Sequence, residues 1–135
     1  MNATEQAKSI ELATKIAAIA SLFKQQFSLA KVDLSPWTDD SCTRELVDPE
    51  SIDISFNFPG VNKNITSRSV LLQIRFHEGK LIGIESSGFG YQGKQWNHST
   101  VDNWQFVGDF PPSAIFAEKL KQVYRRIFEL FSPHS

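Results

Sequence analysis

Leu12, Ile16, Ile19, Phe23 and Phe27 recur at steps of four, three, four and four, the spacing of one face of an α-helix. Ala13, Ala17 and Ala20 flank that stripe and permit close packing. The pattern predicts a helix from about Thr4 to Ala30, about 40 Å long at 1.5 Å per residue. A domain of this size has a radius of gyration of only about 14 Å. A helix of that length either lies across the whole body or projects towards a second subunit.

From Ser51 the period changes to two. Ile52, Ile54, Phe56 and Phe58 point one way and Ser51, Asp53, Ser55 and Asn57 the other, a half-buried strand ended by Pro59-Gly60. Val70, Leu72, Ile74 and Phe76 repeat the pattern after a polar turn at Asn62-Lys63-Asn64. A three-residue loop, His77-Glu78-Gly79, would oppose Ile74 to Ile82 and Leu72 to Ile84 on the core face, leaving a mixed other face of Leu71, Gln73, Arg75, Leu81 and Gly83. The strand from Leu81 runs into Gly88-Phe89-Gly90-Tyr91-Gln92-Gly93, and a fourth is expected around Trp104-Gln105-Phe106-Val107. Pro111-Pro112 opens a last helix whose buried stripe is Phe116, Leu120, Val123, Ile127 and Phe131, broadened by Tyr124 and Phe128. The expected fold is α+β: a long N-terminal helix, about four antiparallel strands in one sheet, and a C-terminal helix, with both helices on one sheet face.

Composition narrows the class. The 135 residues suit one domain spanning 1–135, with 41% hydrophobic, 21% charged and 12% aromatic residues. That balance excludes a disordered or low-complexity chain. A net charge of −1 argues against sequence-independent binding to nucleic acid or an anionic membrane. Lys8, Glu11, Lys15 and Lys24 break the N-terminal apolar stretch, so neither a membrane span nor a signal peptide is expected, and a cytoplasmic setting is the default. One cysteine, Cys42, leaves no internal disulfide, and the acids beside it would raise its thiol pKa, which suits an inert side chain. Between residues 33 and 57, seven acids face only Arg44; Asp39-Asp40 lacks the spacing of a calcium loop.

Gly88, Gly90 and Gly93 have the spacing of a dinucleotide-binding loop, but no helical period follows them. Gly88-Phe89-Gly90-Tyr91 also matches the centre of the RNA-recognition signature, yet Ser87, Gln92 and Lys94 stand where it requires basic, aliphatic and aromatic residues. A glycine-rich, twisted strand explains the segment without a ligand. His77, His98 and His134 share no metal-ligand spacing. His98 differs in its neighbours: Tyr91, Trp96 and Trp104 lie close in sequence and Lys94 adds a cation. An imidazole amid flat rings is the environment that an iron-bearing planar ligand meets.

The Ala-rich first helix, Ser51-Ile52-Asp53-Ile54-Ser55-Phe56, Arg75-Phe76-His77-Glu78-Gly79-Lys80 and Gly88-Phe89-Gly90-Tyr91 together resemble a small group of bacterial proteins described as heme-binding, similar in fold to heme-utilisation proteins. The resemblance implies an α+β fold, a heme site and a dimer, but supplies no axial ligand. The choice of His98 comes from its neighbours alone.

Two functional readings follow. In the first, a non-enzymatic binding protein holds heme or another planar hydrophobic molecule near Tyr91, Trp96, His98 and Trp104, with His98 on the metal and Lys94 or Arg75 meeting carboxylates. In the second, the chain is an interaction module or adaptor acting as a homodimer. No catalytic grouping can be assembled from spacing.

Overall fold

A computed structural model describes residues 1–37, 47–59 and 67–132. Cys42, Asp39-Asp40, the Asn62-Lys63-Asn64 turn and His134 lie outside the described residues. The element order is α1 (Ala3–Gln6), α2 (Ile10–Gln26), β1 (Lys31–Asp33), β2 (Ile52–Asn57), β3 (Ser69–His77), β4 (Lys80–Gly90), β5 (Gly93–Ser99), β6 (Phe106–Val107) and α3 (Ala114–Phe131). The strands form one six-stranded antiparallel meander in chain order. The α+β class matches the expectation; the described residues form six strands where about four were expected.

The long first helix divides in two. Ser9 is the N-cap of α2, its hydroxyl accepting from the Leu12 N–H at 3.1 Å, so the helical stripe starts there. Residues before it serve other contacts. Thr4 N–H bonds the Leu34 carbonyl, and the Gln6 amide donates to the Pro49 and Ser51 carbonyls. The N-terminal ammonium reaches Asp53, which is fully buried, at 2.8 Å. With 17 residues, α2 is about 26 Å long. It has no excess length to project, so the argument for a second subunit falls with it.

Helices α2 and α3 cover the sheet face that carries Ile52, Ile54, Phe56, Val70, Leu72, Ile74, Ile84, Trp96 and His98, while Ile16, Ile19 and Phe23 of α2 and Phe116, Leu120, Val123, Tyr124 and Ile127 of α3 face it. Phe23 stacks on Phe56 with ring centroids 3.5 Å apart, and Phe27, Phe58 and Phe116 close that end. The opposite face is mixed: Leu71 and Val107 stand on it with Gln73 and Arg75, and Arg75 pairs with Asp48 and Glu85, each at 3.0 Å. The N–H of Glu50, and then Arg75, hold the Asp48 carboxyl below its ordinary pKa.

The β3–β4 turn corrects the expected register. Glu78 and Gly79 both have positive φ (51° and 79°), the signature of a two-residue hairpin turn. Phe76 pairs with Leu81 and Arg75 with Gly83, so Ile82 is an extra residue in β4. That bulge turns Ile82 outward, 57% exposed, and returns Ile84 to the core opposite Ile74. The expected register put Ile82 inside and Leu81 outside; the chain instead packs Leu81 against the core, exposes Ile82 and keeps the tighter turn. Among the described residues, no helix is long and apolar enough to cross a membrane.

Candidate functional site

Strand β5 places Trp96 and His98 on the helix-covered face, opposite Gly88 and Ser86. Both are buried, 1% and 2% exposed. The imidazole lies against Phe106 (centroids 4.5 Å apart), Tyr124 (4.8 Å) and Trp104 (5.8 Å, edge-on). Trp104 reaches it from a residue with φ of 60°, an unfavourable conformation for so large a side chain. Neither ring nitrogen of His98 has a hydrogen-bond partner among the described residues. Burial pushes its pKa down to about 4, helped by the nearby Lys121 charge and opposed by the Trp104 backbone, so the ring is neutral at pH 7. Tyr124, hydrogen-bonded to Ser86, has its pKa raised by complete burial.

Trp96 is a packing residue. Its Nε1 donates to Ser67 Oγ at 2.9 Å, its ring meets Phe106 edge-on, and its indole lies directly over Gly88. A Cβ at Gly88 would sit 2.2 Å from that ring. The glycine-rich segment therefore makes room for a tryptophan and needs no phosphate to explain it. A register shift between Gly88 and Phe89 then reverses the alternation, so Lys94 pairs with Phe89. Lys94 opens onto a polar cleft of about 430 Å³ whose wall includes Gln73, Glu85, Asn97 and Asp102. His98 also reaches that wall, but its ring nitrogens are sealed from solvent. Tyr91 stands in the β4–β5 turn, 83% exposed, with the Arg68 guanidinium 3.7 Å above its ring.

The expected five-residue site is thus divided. Trp96, His98 and Trp104 come together; Tyr91 and Lys94 do not join them. An axial ligand binds iron through an exposed ring nitrogen, and both nitrogens of His98 are sealed from solvent with Phe106 and Tyr124 packed around the ring, which argues against His98 in that role. No group of three or more His, Cys, Asp or Glu among the described residues could hold a metal ion.

Open space lies at the other end of the helical layer. There the amino end of α2, the carboxyl end of α3 and the β3–β4 hairpin enclose a groove of about 930 Å³. Leu12, Ile52, Phe76, Leu81, Phe128 and Phe131 form its apolar surface, with Phe76 and Phe131 in edge-to-face contact at 5.2 Å. Lys15 and Lys80, with Glu11 and Glu50, supply its charges. Lys15 is paired with Glu11 at 3.2 Å and its ammonium lies 5.0 Å from the Phe131 ring centroid. Sequence reasoning assigned Leu12, Phe128 and Phe131 to closed helix–sheet packing. The available signal was positional: both apolar stripes run on to helix ends, where the sheet offers only the Phe76 and Leu81 turn beneath them.

No curated protein and no solved structure matches the chain. A family model described as a domain of unknown function matches residues 4–133, and the chain belongs to that family.

Proposed function

We propose that this protein is a non-enzymatic binding module that holds an apolar or amphipathic small molecule in the groove between α2, α3 and the β3–β4 hairpin. The observation that carries the reading is the groove itself. Its volume of about 930 Å³ falls at the upper end of the range for small-molecule sites, roughly 300–1,000 Å³, and α2, β2, α3 and the β3–β4 hairpin all bring apolar side chains to it. Among the described residues no histidine, cysteine, methionine or tyrosine lines it, so hemin entering the groove would gain burial without an axial ligand from them.

Titration with the fluorescent apolar probe N-phenyl-1-naphthylamine tests this. Saturable enhancement is expected for the native protein, and Leu81→Gln, at a half-exposed position, reduces affinity at least about fivefold while circular dichroism stays native. Binding unchanged in Leu81→Gln, or absent from the native protein, overturns the groove as the site. With hemin, any Soret band is expected to survive His98→Phe; its loss in that variant would restore the histidine site.

A further inference from the structure

We propose that the groove takes a single-chain anionic amphiphile, with its carboxylate against Lys80 on the hairpin wall and its alkyl chain over Leu81, Phe76, Phe131 and Phe128. The inference rests on the groove being a ligand site and adds the polarity of its occupant. Its charges are unevenly committed. Lys15 is held by Glu11 at 3.2 Å and lies by the Phe131 ring. Lys80 has no carboxylate within ion-pair distance among the described residues, and it follows Gly79 at the hairpin turn, next to the apolar Leu81 and Phe76.

The opposite wall has the other sign. Gln6 ties α1 to the Pro49 and Ser51 carbonyls on either side of Glu50, and Glu50 lines the groove together with Ser9 and Glu11 at the amino end of α2. Glu50 there opposes an anion that the helix terminus would otherwise favour, while Glu11 is already neutralised by Lys15. A ligand that buries a chain on the apolar surface therefore gains most by directing its negative end to the hairpin. The lysine stem can lie along the same apolar surface while its ammonium stays in water.

Isothermal calorimetry with laurate and with 1-dodecanol, both kept below self-association, separates the claims. Laurate is expected to bind about fivefold tighter than the alcohol, the scale of one exposed ion pair. Lys80→Gln brings the two within about twofold without weakening the alcohol, and Lys80→Arg restores the preference. Equal affinity of the native protein for acid and alcohol overturns the anionic polarity and leaves the groove standing. A preference that survives Lys80→Gln overturns the assignment to Lys80. If neither compound binds, the groove reading fails and the inference fails with it.

Discussion

Helix α3 serves two regions that are alike in composition and opposite in outcome. Around Tyr124 it meets His98, Trp104 and Phe106, and rings fill the layer. One to two turns later, Phe131 meets Phe76, and a groove lined also by Leu12, Leu81 and Phe128 is left open, with Phe128 reaching back to Trp104. The difference is the sheet residue beneath the helix. Strand β5 sends Trp96 and His98 inward under the first region, whereas the second lies over a hairpin turn that ends at His77 and Lys80. Aromatic density alone does not mark a binding site; what matters is whether another side chain already occupies the space between the rings.

The strongest test of the filled region is Trp96→Ala. Loss of a fully buried indole should cost about 3–5 kcal/mol in chemical denaturation; a cost below about 1 kcal/mol would mean that this end is loosely packed. Next comes acid. His98 is neutral when folded, with its pKa down at about 4 from 6.5, so the unfolded chain binds the extra proton first. The contribution of His98 is complete above pH 6.5 and is lost as pH falls towards 4. Its size is on the order of 3 kcal/mol at 1.36 kcal/mol per pKa unit. His98→Phe should flatten that part of the pH–stability curve; an unaltered slope would show that the imidazole is not desolvated. The smallest effect on folding belongs to the open region. Phe131→Ala, at a half-exposed position, should cost only about 1 kcal/mol yet weaken binding of the naphthylamine probe.

Much of the scaffold could be read from periodicity. Ile52 to Phe58, Val70 to Phe76 and the stripe of α3 have apolar spacings that match only one element type each. The residues around Ser9 could not be read so directly, because Ala-rich sequence continues helical composition past the point where the hydroxyl caps α2. Strand β5 was missed because its inward positions are Trp96 and His98, and a histidine does not register as apolar until its ring is known to be buried. Strand β1 has three residues and one half-buried side chain, Val32, too little for any pattern to show. The cluster of Trp96, His98 and Trp104 was legible as a neighbourhood. Its meaning was not, since proximity along the chain carries no information about Tyr124 arriving from α3 to close it.

The account turns on where an added apolar molecule sits. Chemical-shift mapping during titration with the naphthylamine probe locates it directly, because the Trp96 indole N–H and the backbone amides of Leu81 and Phe131 report on the two regions separately. We expect the Leu81 and Phe131 amides to shift in a saturable way while the Trp96 indole resonance stays in place. Movement of the indole resonance with the hairpin and helix-end amides unchanged would contradict the account and move the site back to the histidine.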